Sequence, residues 1–203
     1  MKIIKFFLLS FFANLCSMEF YVEDSKSKVC PSALTQRLWD EAQKNVGVPQ
    51  DLCVDILIED NVFSALSAVA SYCTETKKSY ITPCLNDMLK DYDTVGVLRY
   101  CLHHEAVHEL RDIDGVLSLR EEAEEQLADL VAAVVCDCYK CVGAVARHLE
   151  RMGDDGKRLA RGYLLPGQLF EIARHLKKEG RVCGYHQSLL QKSKVWIYSF
   201  FQK

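Results

Sequence analysis

TVGVLRYCLHHEAVHELR, residues 94–111, has the spacing of apolar side chains expected of a buried helix and ends at the polar run Asp112–Gly115. Within it, His104-Glu105-Ala106-Val107-His108 places two imidazoles four residues apart. Residues at that spacing project from one helix face, so both rings can reach one metal ion, and Glu105 stands beside them to address a metal-bound water. Zinc held in this way lowers the pKa of its water to about 7 and polarises a carbonyl, with a carboxylate taking the proton and passing it to the leaving amine.

A catalytic zinc needs a third protein ligand and an open position. Ser118 and Glu121, spaced as a capping box, open a second helix that runs to about Cys136. That helix carries Glu125-Gln126-Leu127-Ala128-Asp129. Glu125 is the candidate third ligand, and Asp129, one turn further on, suits the ring nitrogen of a ligand histidine that faces away from the metal. Residues 127–135 are apolar nearly all round, so this helix is expected to be buried on every side. The other Glu with an Asp four residues on, Glu150 and Asp154, lies next to Gly153 and Gly156 and lacks a rigid helix. His103 points elsewhere on the first helix, and Cys101 is read as a small buried hydrophobe.

Working outward, residues 32–46 form an amphipathic helix stopped by Gly47 and Pro49. Leu52–Ile58, Ala65–Cys73 and Ser79–Leu85 read as three strands, with Pro83 putting the third at an edge of the sheet. Beyond Cys136 the chain is helical: Val142–Arg151, a turn at 153–156, a segment around Arg158, then Pro166–Lys178 and Leu189–Phe201. The aromatic tail of Trp196, Tyr198, Phe200 and Phe201 is expected to pack on the core.

The N-terminus has its own character. Met1, Lys2 and Lys5 precede an apolar run from Phe6 to Phe12 broken only by Ser10, the form of a secretory signal ending near Ser17. It is shorter than the roughly 20 apolar residues of a spanning helix. The expected domains are a signal at 1–17 and one domain at 18–203. With 49% hydrophobic residues, 26% charged residues and a net charge of -3, the chain has a core's worth of apolar side chains and no basic surplus for nucleic acid.

Ten cysteines in an exported chain suggest disulfides, and nine remain once Cys16 leaves with the signal, so at least one is free, metal-bound or paired between chains. Cys136, Cys138 and Cys141 form C-D-C-Y-K-C, read as partners in disulfides, with a second metal site or a redox pair as alternatives. A closed zinc site there would need a ligand from elsewhere in the chain.

H-E-x-x-H followed by E-x-x-A-D resembles the gluzincin metallopeptidases, particularly the HtpX and CAAX-prenyl-protease type. The resemblance spans residues 51–135, and its specific part is the two motifs. It implies an α+β zincin-like fold, a small three-stranded sheet packed on an active-site helix and a glutamate helix. It also implies one zinc on His104, His108 and Glu125, Glu105 as catalytic base, Asp129 as supporting carboxylate, and an extended peptide substrate beside an edge strand at 79–85. Only 16 residues separate His108 from Glu125 and no internal apolar span is present, so the pattern is that of a minimal soluble member and a lipid-embedded substrate is not implied. For the oxyanion, Arg174, His175, Tyr185 and His186 are all candidates. The alternative function is a non-catalytic extracellular binding module stabilised by zinc or disulfides.

Overall fold

The computed structural model describes residues 31–58, 70–74, 76–81, 92–115, 121–153 and 155–187. The expected signal, Pro83, Ser118 and residues 189–203 lie outside that set, as do the expectations placed on them. The described chain is α+β, mostly helical, with a small mixed sheet.

Helix α1, Ala33–Val46, starts where the Ser32 side chain accepts the Thr35 amide and stops where Gly47 turns left-handed at φ 96°. Its apolar face, Leu38, Trp39 and Ala42, is fully inside. Three strands follow: β1 at Ile56–Ile58, β2 at Ala70–Cys73 and β3 at Lys78–Ile81. Their order is β1-β3-β2, with β3 parallel to β1 and antiparallel to β2, pairing Leu57 and Ser71 with Tyr80.

Two sequence expectations change here. The third strand is central, not at the edge. Among the described residues β3 runs over Lys78–Ile81 with β1 on one side and β2 on the other, and β2, at the end of the strand order, packs against the helix at Tyr92–Ile113. The first strand is also shorter than Leu52–Ile58. Val54 has its amide taken by Glu109 Oε1 at 2.8 Å and its carbonyl by Trp39 Nε1 at 2.8 Å, which leaves nothing there for a strand neighbour.

Helix α2, Tyr92–Ile113, is the axis of the fold and packs against α1, β2, α3 (Glu121–Val135) and α4 (Tyr139–Met152). Close approach to α4 depends on Gly96: a Cβ there would lie 3.1 Å from Ala144 Cβ and 3.2 Å from Cys141 Cα. After α4, Gly153 ends the helix at φ 66°, and a short α5, Asp155–Ala160, leads to α6, Pro166–Lys178, which packs on α4. The core joins Leu38 and Trp39 of α1 to Leu98 and Leu102 of α2, Ala132 of α3, Val145 of α4 and Leu169 of α6.

Helix α3 is not buried all round, contrary to its composition. Ala128, Ala132 and Ala133 face the core, whereas Leu130 is 46% and Val134 58% exposed among the described residues. Small alanines on the inner face let α3 sit close to its neighbours and turn the larger side chains outward. No helix of the described residues is long and apolar enough to cross a membrane.

Candidate metal centre

Helix α2 supplies His104, Glu105 and His108 from one buried face, and α3 supplies Glu125 from the start of its second turn. The Nε2 atoms of His104 and His108 are 3.0 Å apart, and Glu125 Oε2 is 3.0 Å from the first and 3.6 Å from the second. The two other ring nitrogens face carboxylates. His104 Nδ1 lies 3.1 Å from Asp129 Oδ1, and His108 Nδ1 lies 3.7 Å from Glu124 Oε1. With the Nδ1 sides turned toward Asp129 and Glu124, the two Nε2 atoms and Glu125 Oε2 converge on one point. Two imidazole nitrogens and a carboxylate oxygen this close together can share a proton or a metal ion.

The geometry fits a metal. Donors at about 2.0 to 2.2 Å from a tetrahedral zinc lie about 3.3 Å from one another, and the three separations bracket that value. These side chains form a buried group able to hold an ion.

Glu105 completes the picture. It is 1% exposed, and its Oε2 accepts the backbone N–H of Tyr72 in β2 at 2.7 Å. Its Oε1 is buried and has no hydrogen-bond partner among the described residues. A buried carboxylate oxygen without a partner is costly unless a ligand meets it. Burial pushes this carboxyl above the usual carboxylate range, while His104 and His108 pull it back.

Asp129 is the hub behind the site. Its Oδ1 accepts from His104 and from the Tyr100 hydroxyl at 3.0 Å, and its Oδ2 accepts from the Leu164 amide at 2.8 Å and Arg158 at 3.1 Å. The expected ligands and supporting carboxylate, His104, His108, Glu125 and Asp129, are therefore brought together.

Two participants were not read from the sequence. Glu124, next to the candidate ligand Glu125, has an oxygen 3.7 Å from His108 Nδ1 and accepts from Arg111 Nε at 2.5 Å. Tyr163, outside both motifs, has its ring centre 6.0 Å from that of His104. Burial raises its phenol well above the usual range, and so do Glu125, Asp129 and Glu105, with Glu125 in hydrogen-bond contact. It reaches the site because Gly162, at φ 86°, runs against the first turn of α3, where a Cβ would meet Glu122 O at 1.9 Å.

The oxyanion candidates go elsewhere. Arg174 and His175 are exposed on α6, with Arg174 paired to Glu171. Tyr185 and His186 stand at a cluster of cysteines. His103 is no ligand: burial, then Arg99, lowers it to about 4, its Nδ1 donates to Arg99 O at 2.7 Å and its Nε2 meets Asn45 at 3.1 Å. Cys101 is buried as expected.

The disulfide expectation also changes. All seven described cysteines, Cys53, Cys73, Cys101, Cys136, Cys138, Cys141 and Cys183, are free thiols. Cys141 Sγ and Cys183 Sγ approach to 4.0 Å, against about 2.05 Å in a bond. Cys138, Cys141, Cys183 and His186 instead form a second buried group able to hold a metal.

No family model, curated protein or solved structure matches this chain.

Proposed function

We propose that the chain is a zinc-dependent metalloendopeptidase with a zincin-like arrangement of helices, exported through its basic-apolar N-terminus. The observation that carries the reading is the number of donors. His104, His108 and Glu125 give three protein ligands, and a buried oxygen of the neighbouring carboxylate, Glu105 Oε1, has no hydrogen-bond partner among the described residues. Structural zinc sites close with four protein ligands, whereas catalytic ones keep a position for water.

When bound, zinc supplies a Lewis acid and an acidified water. The residues do the rest. His104 and His108 hold their Nε2 atoms inward because Asp129 and Glu124 fix the opposite nitrogens. Glu105, anchored through Oε2, holds Oε1 free to take a proton from the attacking water and return it to the leaving amine. Tyr163 is the polar group at hand beside Glu125, in place of the four later residues considered from sequence. An extended peptide would lie along the edge strand β2, whose Tyr72 amide already orients the base.

A second reading is favoured by a specific observation: His104, Glu105, His108 and Glu125 are all at most 4% exposed among the described residues. Such enclosure suits a non-catalytic binding module in which zinc stabilises the fold. Glu105→Gln separates the two readings. Zinc retained with peptide hydrolysis abolished is the expected result. Undiminished cleavage removes Glu105 as base, and full zinc occupancy without hydrolysis of a broad peptide library by the unaltered chain favours the binding module.

A further inference from the structure

Two short segments far apart in sequence have the same form. Cys138 sits at the start of α4, with Cys141 in its first turn, and Val142 N–H returns to Cys138 O at 3.1 Å. Cys183 starts a helical turn over 184–187 carrying His186, and Gln187 N–H returns to Cys183 O at 2.9 Å. Each segment thus presents one side chain from a helix start and another three residues later. A metal takes each of these cysteines as the thiolate, so binding there expels protons.

The two segments are pinned face to face. Tyr139 N–H donates to Arg181 O at 3.1 Å, and Arg181 Nη2 pairs with Asp137 Oδ2 at 2.5 Å. Asp137 takes a left-handed φ of 48°, which turns the chain from the end of α3 into Cys138.

The donor atoms then meet. His186 Nδ1 lies 3.4 Å from Cys138 Sγ, 3.6 Å from Cys141 Sγ and 3.2 Å from Cys183 Sγ, and Cys141 Sγ is 4.0 Å from Cys183 Sγ. With zinc–sulfur bonds near 2.3 Å and zinc–nitrogen bonds near 2.0 to 2.1 Å, a tetrahedron has sulfur–sulfur edges of about 3.8 Å and sulfur–nitrogen edges of about 3.6 Å. All four residues are buried and all four donor atoms lie within 4.8 Å of one another.

We propose that Cys138, Cys141, Cys183 and His186 bind a structural zinc ion, separate from the ion of the His104, His108 and Glu125 site. Three thiolates and one neutral imidazole leave the bound cluster with a net negative charge, and a buried cation lies next to it. Arg99 Nη1 donates to Cys136 O at 2.5 Å and Cys136 Sγ at 2.7 Å, and it reaches Cys141 Sγ at 3.8 Å. Its other terminal nitrogen, Nη2, pairs with Glu41 at 2.7 Å. Arg99 lies on α2 five residues before His104, so the cluster ties the chain after α6 to the start of α4 and braces the helix that carries the histidines. A soft sulfur-rich tetrahedron with one imidazole is the donor set that selects zinc. The site does not depend on the peptidase reading.

The test is metal content of the full chain purified without chelator, together with the absorption of the cobalt-substituted protein, which shows thiolate-to-cobalt charge transfer only where sulfur binds the metal. Expected are two zinc equivalents per chain, falling to one in H104A/H108A with the thiolate band kept. C183S/H186A should fall to one equivalent with the band lost. Because that variant can fail to fold, His186→Cys provides a second arm: it should keep both equivalents and shift the cobalt spectrum as a fourth sulfur enters. A single equivalent in the unaltered chain that carries the thiolate band and survives H104A/H108A also supports this site, and it removes the metal from the other one. The proposal is overturned by a cobalt protein without the thiolate band, or by a Cys141–Cys183 disulfide in a non-reducing peptide map of the purified chain.

Discussion

His104 Nδ1 lies 3.1 Å from Asp129 Oδ1, and the other oxygen of the same carboxylate holds the Leu164 amide and Arg158. One side chain thus fixes a metal-facing ring and fastens the end of α5 and the turn after it to α3. Asp129→Asn keeps the size but weakens both contacts, and zinc affinity measured by chelator competition should fall about 10- to 100-fold. Asp129→Ala also leaves buried donors unpaired and should cost about 3 to 5 kcal/mol in denaturant unfolding. Unchanged zinc affinity in Asp129→Asn would remove the assigned role.

Acidity at the two histidines sets a pH dependence. Burial disfavours the charged rings, yet hydrogen bonds with Asp129 and Glu125 lift His104 to about 9, and those with Glu124 and Glu125 lift His108 to about 10. Both exceed the ordinary imidazole value of about 6.5. In the metal-free chain these protonated rings contribute stability that is complete below about pH 6.5 and is lost as pH rises through about 9 to 10. Zinc needs the lone pairs, so binding expels protons. Apparent zinc affinity at this site, taken as the difference between the unaltered chain and H104A/H108A, should rise between about pH 6 and about pH 9, while the apo melting temperature falls above about pH 9. A pH-independent affinity would contradict the imidazole ligands.

Tyr163 tests the reach of the site beyond its motifs. Tyr163→Phe removes the phenol near Glu125 and keeps the ring on which the Arg158 guanidinium sits, 4.8 Å from the centroid. Zinc affinity should drop about 10-fold by loss of a contact that orients a ligand, with little change in melting temperature. Loss of stability with intact zinc affinity would make the phenol a packing element only.

Gly162→Ala should be severe. The substitution meets the Glu122 carbonyl at 1.9 Å in a left-handed backbone, so the turn after α5 or the start of α3 must move. A loss of more than about 3 kcal/mol in denaturant unfolding is expected, because strain at a special φ and a backbone clash act together. Gly156→Ala, with open space around it, serves as the control and should change stability by less than about 1 kcal/mol.

What the sequence disclosed and concealed follows the range of each signal. Helical spacing and capping residues act within a few positions, so α1 and α6 were legible almost to their ends, from Ser32 and Gly47 to Pro166 and Lys178, and α4 from three residues after its start. His104, His108, Glu125 and Asp129 were legible because two helices each carry their donors one turn apart. The edge assignment failed because strand order is a long-range property: Pro83 limits where β3 can continue, not which strands flank it. The all-round burial of α3 failed because composition counts apolar residues without saying that alanines take the inner face and Leu130 and Val134 the outer one. His186 was weighed for the wrong site, since its partners Cys138 and Cys141 lie more than 40 residues upstream, although Cys183-Gly184-Tyr185-His186 repeats the spacing of Cys138 to Cys141.

Glu105 takes its bearing from the main chain of Tyr72, not from that residue's side chain. Every amino acid except proline brings the same amide to that spot, so genetic drift at position 72 can remodel the ring and its contact with Asp112 without disarming the glutamate. Proline alone would strip it of its anchor.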